Sequence, residues 1–253
     1  MTPEQWERVK SVFQSALERT SAERQAFLGE ACSGDPARRL GNEFVYAMLA
    51  QQNVETLNAA GVRKIVATCA HCFNTLANEY PQLGGQYEVV HHTQLLARLV
   101  AEGRLRPAGP VDATVTYHDA CYLGRHNRVF APPRELLGSV PGVRLAEMPR
   151  NQERSFCCGA GGARMWMDET IGQRINENRA DEALSLQPDI VAAACPFCIV
   201  MLSDGVSRRQ QEDETHDNVE VTDVAEVLLR SVRSTVTQAP APRSATPSEG
   251  TPS

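Results

Sequence analysis

The sequence predicts an α/β fold of two pseudo-symmetric, cysteine-rich half-domains, with short parallel strands, flanking helices and a truncated first half, preceded by N-terminal helices. Three observations support this prediction. Short apolar runs alternate with helical patterns along most of the chain, as in folds with largely parallel sheets. Two of these runs end in a Cys-x-x-Cys motif, at Cys69 and at Cys195. Each motif also stands 37 positions after an earlier cysteine, Cys32 in the first half and Cys158 in the second.

The spacing of apolar side chains predicts the individual elements. Residues 3–19 show helical spacing, and Thr20 with Glu23 forms a capping box that starts a second short helix. Further helices are predicted over residues 36–59, 71–79, 93–100, 167–186 and 223–233. Strands are predicted over residues 64–68, 87–90, 114–118, 143–147, 189–194 and 220–222.

The repeat divides the chain into four regions. We expect a helical leader over 1–30, a truncated first half-domain over 31–105, a complete second half-domain over 111–233, and a disordered tail over 234–253. The tail is rich in Pro, Ser, Thr and Ala, a composition that does not support a packed core. Cys121 stands 36 positions before Cys157, and its counterpart in the first half would fall before residue 1.

Composition excludes several classes of function. The 253-residue chain has a formal net charge of -6 and a pI near 5.6, which argues against a nucleic-acid partner. No run approaches the roughly 18–20 apolar residues that span a membrane, and the N-terminus lacks the apolar core of a signal peptide. We therefore expect a cytoplasmic protein with reduced thiols. In a reducing compartment, the eight cysteines of this chain are more typical of metal ligands or redox groups than of disulfides.

Five cysteines form the predicted ligand set, namely Cys121, Cys157, Cys158, Cys195 and Cys198. Thiolates are soft ligands that suit iron and sulfide, and glycines after the adjacent pair let the backbone approach a cluster. We interpret the set as the site of a [4Fe–4S]-type redox centre. Alternatives stay open for each motif alone, because Cys-x-x-Cys also binds zinc or forms a thioredoxin-like pair, and adjacent cysteines also occur as small buried residues.

These motifs resemble the CCG cysteine-rich domain family over about residues 32–233. The resemblance rests on the spacing of the five cysteines and on the segments 117–127, 155–166 and 71–76. That family includes a subunit of heterodisulfide reductase, iron–sulfur subunits of glycolate and lactate oxidase, and iron–sulfur oxidoreductases linked to electron-transfer flavoprotein. The resemblance implies that the five cysteines hold a [4Fe–4S] cluster, with the non-cubane form of heterodisulfide reductase as one option.

The resemblance further implies an iron–sulfur oxidoreductase component that transfers electrons beside a flavoprotein dehydrogenase. Whether the chain is itself an enzyme stays open, and a disulfide substrate does not follow from the motif. The implied partners are a flavoprotein or ferredoxin-type electron donor, in association with a membrane respiratory complex. Two alternatives remain, a structural zinc- or metal-binding interaction module and an inactive truncated remnant.

The first half offers an incomplete ligand set of Cys32, Cys69 and Cys72. It would hold a cluster with a borrowed ligand, a zinc ion, or no metal. The histidines at 71, 91 and 92 are candidate fourth ligands, although positions at a helix start or on the surface explain them as well. For His118 and Asp119, just before Cys121, the alternatives are a proton donor near the cluster and a structural hydrogen bond at the strand end.

The first 30 residues carry a second resemblance. The segments 1–6 and 23–28 are similar to the helical leader that precedes some bacterial serine/threonine kinase domains. No Gly-rich loop and no His-Arg-Asp motif follows, so the resemblance does not extend to a kinase. A join between two parent sequences is expected near residues 32–39.

Overall fold

Two parallel sheets form the framework of the fold in the computed structural model, which describes residues 33–167, 169, 171–212 and 217–236. The predicted leader helices, Cys32 and the chain beyond residue 236 lie outside the described residues. The smaller sheet pairs β1 (Lys64–Ala67) with β2 (Glu88–His91). The larger sheet has the strand order β4-β3-β5-β6, with all neighbours parallel, and consists of β3 (Ala113–His118), β4 (Val143–Ala146), β5 (Ile190–Ala193) and β6 (Glu220–Asp223).

Helices connect the parallel strands, and this arrangement confirms the predicted α/β class. They are α1 (Asp35–Arg39), α2 (Glu43–Ala59), α3 (Ala70–Asn74), α4 (His92–Ala101), α5 (Ala131–Ser139), α6 (Ile175–Leu184), α7 (Pro196–Glu212) and α8 (Val224–Val236). A π-helical turn (Thr75–Glu79) continues α3, and shorter 3-10 turns occur at Tyr80–Leu83, Gln152–Arg154 and Gly161–Trp166. Within the described part of the chain, no helix combines the length and apolar character needed to cross a bilayer.

The internal repeat is visible in the strand pairing. In one half β1 pairs with β2, with Lys64 opposite Glu88. In the other half β5 pairs with β6, with Ile190 opposite Glu220. Both β1 and β5 lead directly into a Cys-x-x-Cys motif and a helix. The strands β3 and β4 have no counterpart among the described residues before β1.

Two helix predictions differ from the structure, and one helix was not predicted. The helix predicted over 36–59 is two helices, because Gly41 has a left-handed φ of 83° and the side chain of Asn42 accepts a hydrogen bond from Val45 N to start α2. The helix predicted over 167–186 begins only at Ile175, because Gly172, with φ 70°, lies in a turn before it. Sequence reasoning missed α5, whose prolines occupy the first turn, where proline is tolerated.

One buried cluster joins the two halves. Phe73 of α3 belongs to the same apolar cluster as Val115 of β3, Val191 of β5 and Leu202 of α7. The segment 192–194 is three alanines, all fully buried. Since their side chains are so small, neighbouring elements can approach the end of β5 closely. The packing therefore places the two Cys-x-x-Cys motifs in one interior.

Gly205 gives a test of the helix packing. It lies in the middle of α7, where alanine normally stabilises a helix by about 1 kcal/mol relative to glycine. A Cβ at this position would stand 2.9 Å from the backbone oxygen of Asn176 and 3.0 Å from Ala180 Cβ. We expect Gly205→Ala to lower the midpoint of urea unfolding. The matched control is Gly138→Ala in α5, where a Cβ would meet nothing within 4 Å, and it should leave the midpoint unchanged or raise it. A raised midpoint for Gly205→Ala would contradict this packing.

Candidate metal centre

The carboxyl ends of the parallel strands position the cysteines. His118, the last residue of β3, pairs with Ala193, the last residue of β5. Cys195 follows two residues later, and its carbonyl accepts a hydrogen bond from Ile199 N in the first turn of α7. Cys69 follows β1 in the same way and caps α3 in an extended conformation. Each motif therefore places its two sulfurs at the start of a helix.

Six of the seven described cysteines form a continuous row of neighbouring thiols that shift one another's pKa. In order along the row they are Cys72, Cys69, Cys195, Cys198, Cys158 and Cys157. Cys121 lies beside the row and interacts electrostatically with Cys158 and Cys195. All seven are free thiols. The structure thus brings the five predicted second-half cysteines together and also places the first-half pair against them, whereas Cys32 lies outside the described residues.

Neighbouring thiols in the row shift each other's pKa in opposite directions. The proximity of Cys195 and Cys72, together with burial, holds the pKa of the Cys69 thiol well above its usual value. The proximity of Cys198 and Cys69 holds the pKa of Cys195 well below its usual value. Burial raises the pKa of Cys121 to about 11. Because buried charges of one sign repel each other and are poorly solvated, all of these sulfurs can be thiolates together only around a positive group.

The loop after the adjacent cysteines wraps Cys157. Gly159 N donates a hydrogen bond to Cys157 Sγ at 3.3 Å, and a Cβ on Gly161 would stand 3.5 Å from the same sulfur. Gly159 has a φ of 95°, and a side chain there would meet Met201. Only glycine adopts this conformation without strain. The loop therefore supplies an amide donor to sulfur and keeps the backbone close to the thiols.

His118 adds a nitrogen to the sulfur row. It forms, with Cys158 and Cys198, the one group of three candidate metal ligands found in the described residues, with ligand atoms all within 4.8 Å of one another. Hydrogen bonds from Cys157, Cys198 and also His118 hold the pKa of Cys158 well below its usual value. Of the two alternatives for His118, the structure therefore supports a position beside the sulfurs.

The three candidate histidines of the first half lie at helix starts, and all are buried rather than on the surface. His71 Nδ1 lies 2.8 Å from the Asp35 carboxylate, and its ring is 4.2 Å from that of Tyr122. His91 caps α4 by accepting a hydrogen bond from the backbone amide of its second residue, and burial lowers its pKa to about 3. His92 Nε2 lies 3.0 Å from Asp223, which ties the two halves together.

Asp119 has the structural role that the sequence left as one alternative. Its carboxylate accepts two hydrogen bonds from Arg134, both 2.8 Å long. It also accepts one from Gln152 N at 2.7 Å, and the hydroxyl of Ser155 donates to its carbonyl at 3.0 Å. These contacts fix the segment that leads into the adjacent cysteines.

Sequence reasoning missed two buried charged residues. Asp35 is 2 % exposed and bonds His71, Arg39 and Thr75. Arg179 is fully buried in α6. A signal for Arg179 exists, because it lies at helical spacing from Ala183, in the stripe of α6 that faces the core. A charged residue in such a stripe indicates a buried partner.

The comparisons with known proteins agree with this geometry. The family model of the CCG cysteine-rich domain matches residues 2–77 and 115–203. The chain belongs to the CCG cysteine-rich domain family. The first match includes residues 2–30, which we interpreted as part of a separate leader, and the boundary at residue 30 stays a prediction. The two matched stretches confirm two cysteine-rich repeats in this CCG chain, and the bounds of the half-domains stay predictions.

Curated relatives of this CCG chain are iron–sulfur and redox proteins by name. It is 48 % identical over 209 residues to a probable iron–sulfur-binding oxidoreductase, FadF, of Bacillus subtilis, covering 82 % of this chain and 29 % of the relative. It is 47 % identical over 210 residues to the EtfAB:quinone oxidoreductase of Syntrophomonas wolfei, covering 80 % and 29 %. It is 39 % identical over 211 residues to a subunit of the dihydromethanophenazine:CoB–CoM heterodisulfide reductase of Methanosarcina barkeri, covering 80 % and 51 %. The chain thus spans between about a third and a half of these relatives.

Asp119→Asn tests the anchoring of the cysteine segment. Asp119 is 3 % exposed, and neutralising it removes the ionic partner that Arg134 holds inside the fold. Because Arg134 keeps Glu147, we expect a loss of about 2–3 kcal/mol in the free energy of unfolding, measured in urea. The control is Glu153→Gln, whose partner Arg128 is on the surface, and it should change stability by less than about 1 kcal/mol. Equal effects of the two substitutions would contradict the anchoring role.

Proposed function

We propose that this chain is an iron–sulfur electron-transfer component of an oxidoreductase. The proposed ligands of its [4Fe–4S]-type cluster are Cys121, Cys157, Cys158, Cys195 and Cys198. The observation that carries the proposal is the row of thiols, most of them buried, at the junction of the two halves. When bound, the cluster would supply reversible one-electron chemistry.

The shape of the row favours a polynuclear centre over a single metal ion. A structural zinc ion needs four ligands around one point, whereas within the described residues only His118, Cys158 and Cys198 form such a compact group. The other sulfurs continue away from it toward Cys72. Several metal ions bridged by sulfide can use ligands that are spread in this way.

An unpaired donor near the row also fits an acceptor group at this site. Arg179 Nη2 is buried and has no hydrogen-bond partner among the described residues. The same guanidinium contacts His118, which lies beside Cys158. Buried donors without partners are rare and need an explanation. Sulfides of a cluster would be acceptors of the required kind.

The protein's own residues would hold the cluster and adjust its potential. The amide of Gly159 donates to Cys157 Sγ, and hydrogen bonds to sulfur together with burial are the factors by which a protein sets such potentials. Cys195 and Cys198 are buried, whereas Cys121 and Cys157 are only partly buried. We infer that electrons enter and leave at the partly buried side, where a redox partner can approach.

The first-half pair would border the same centre. Among the alternatives for Cys69 and Cys72, the proximity of Cys69 to Cys195 favours a pair that flanks the five-cysteine set over a second, separate cluster. A zinc ion at the first-half site is the other alternative, for which His71, inside the first-half motif, would be the candidate imidazole. Its Nδ1 is bound to Asp35, which is the arrangement that commonly orients a metal-binding histidine.

We propose a flavoprotein as the electron donor. The support is the similarity to a relative named EtfAB:quinone oxidoreductase, and a ferredoxin-type donor is the alternative. Because the chain spans only a third to a half of the relatives described above, further parts of such a system would come from other polypeptide segments or subunits. We propose a cytoplasmic location, in association with a membrane respiratory complex.

A structural zinc module is the second candidate function. The group of His118, Cys158 and Cys198 is the observation on its side, because one nitrogen and two sulfurs lie within 4.8 Å of one another. They match three of the four ligands of a common zinc site, on the condition that His118 presents a free nitrogen lone pair. In that case the chain would bind a partner protein without redox chemistry.

Iron, acid-labile sulfide and zinc should be measured per chain on anaerobically purified protein. We expect iron and sulfide near the level of one four-iron cluster, about four of each, and a brown colour that bleaches on reduction. Cys195→Ser and Cys158→Ser, in the middle of the row, should remove the cluster. Cys72→Ser, at the end of the row, is the matched control and should retain most of the iron.

Other outcomes would reject parts of this proposal. A colourless wild-type protein with one zinc ion would support the structural module. Complete loss of iron from Cys72→Ser would show that the first-half pair is essential and that the five-cysteine ligand set is wrong.

A further inference from the structure

Arg179 of α6 approaches the thiol row, and its contact with His118 supports an inference beyond the proposed function. Its Nε donates a hydrogen bond to His118 Nδ1 at 3.0 Å, and both side chains are buried. Its Nη1 donates to Glu182 at 2.7 Å and to the carbonyl of Arg150 at 3.0 Å. These contacts fix the guanidinium in one orientation.

This contact determines which nitrogen of His118 carries the proton. A guanidinium has only N–H donors and no acceptor. His118 Nδ1 is therefore the acceptor, and the ring proton lies on Nε2. A nitrogen of this ring lies within 4.8 Å of the Cys158 and Cys198 sulfurs, so Nε2–H is the group of the ring that is available to donate to Cys158.

The same contact excludes His118 as a metal ligand. An imidazole binds a metal through a nitrogen lone pair. The lone pair of Nδ1 is used by Arg179, and Nε2 carries the proton. Moving that proton to Nδ1 would set two N–H groups of His118 and Arg179 against each other in a buried site. We propose that Arg179 is a positioning residue that makes His118 a hydrogen-bond donor to the Cys158 sulfur and prevents it from binding the metal.

This inference rests on the proposed iron–sulfur function and adds a means of adjusting it. A hydrogen bond to a cluster sulfur stabilises the reduced, more negative state and raises the reduction potential. Without Arg179, His118 would be free to adopt the other tautomer. The compact group of His118, Cys158 and Cys198 would then become a genuine site for a metal with nitrogen and sulfur ligands.

The test uses anaerobically purified protein with ¹⁵N-labelled histidine. The reduction potential is measured by titration followed with electron paramagnetic resonance, and pulsed measurements read the coupling of histidine nitrogen to the cluster. In the wild type we expect only the weak nitrogen coupling of a hydrogen bond. We expect His118→Leu to shift the reduction potential to a more negative value. We expect Arg179→Met either to shift the potential in the same direction or to produce the strong nitrogen coupling of a histidine bound to the metal.

Two variants separate the proposed role from a merely structural one. Arg179→Lys retains a donor toward His118 Nδ1 and should restore the wild-type spectrum. Arg150→Met removes a neighbouring arginine that also bonds Glu182 and lies outside the contact with His118, and it should leave the potential unchanged. The double variant His118→Leu/Arg179→Met should shift the potential no further than His118→Leu alone, because both changes remove one hydrogen bond.

Three results would overturn the inference. They are strong nitrogen coupling in the wild type, an unchanged potential in His118→Leu, and additive shifts in the double variant. If Arg179→Met does not fold, the nitrogen coupling of the wild type and the reduction potential of His118→Leu still test the inference. If the wild type holds no iron, the proposed cluster fails instead, and ¹⁵N nuclear magnetic resonance of the purified protein reads the His118 tautomer. Protonation at Nε2 would support the role of Arg179, and protonation at Nδ1 would overturn it.

Discussion

The parallel pairing of β3 with β5 is the constraint on which the site depends. Parallel strands bring their carboxyl ends to the same edge, and the register sets His118 opposite Ala193. Cys195 follows one strand, and Cys121 follows the other. A slip of one residue would turn every side chain of β5 to the opposite face of the sheet, which would separate the two cysteines. The alanines at and just after the end of β5 are fully buried, so this end of the strand lies inside the core.

The two halves are not independent metal-binding units. A repeat suggests equivalent sites at equivalent places, yet Cys69 and Cys195 are neighbours in the sulfur row and shift each other's pKa, and Phe73 belongs to the same core as Val191. The pair His92–Asp223, 3.0 Å apart, links the two halves again beyond the sulfurs. The first half lacks counterparts of β3 and β4 among the described residues, and the second half packs against it instead. The sulfur row is therefore a property of the interface between the halves.

The strands, the repeat and the family could be predicted from the sequence, because each depends on local pattern. The strand over 114–118 and the Cys-x-x-Cys motifs follow from apolar runs and residue spacing, which tertiary contacts do not alter. Other features depend on distant partners. Nothing near residue 179 in the sequence indicates that Arg179 reaches His118, 61 positions earlier. The contact of Cys69 with Cys195 likewise joins the two halves across most of the described chain. No periodic pattern in the sequence indicates that these two residues lie close together. The break within residues 36–59 depends on the conformation of Gly41, which the apolar pattern does not report.

Charge balance explains why buried polar residues surround the row. Thiolates in an apolar interior need positive or hydrogen-donating neighbours, and the protein supplies them in two ways. Toward Cys158, the buried Arg179 donates a hydrogen bond to His118, whose ring lies beside the sulfur. Toward Cys72 and Cys195, burial lowers the pKa of His71, but its hydrogen bond to Asp35 and the charges of the two cysteines outweigh burial and raise that pKa above its usual value. Asp35 in turn bonds Arg39, so the positive and negative groups alternate outward from the sulfurs. Alternating charges of this kind can stabilise a centre whose charge changes by one electron. Each group of opposite sign reduces the electrostatic effect of that change on the groups farther from the sulfurs.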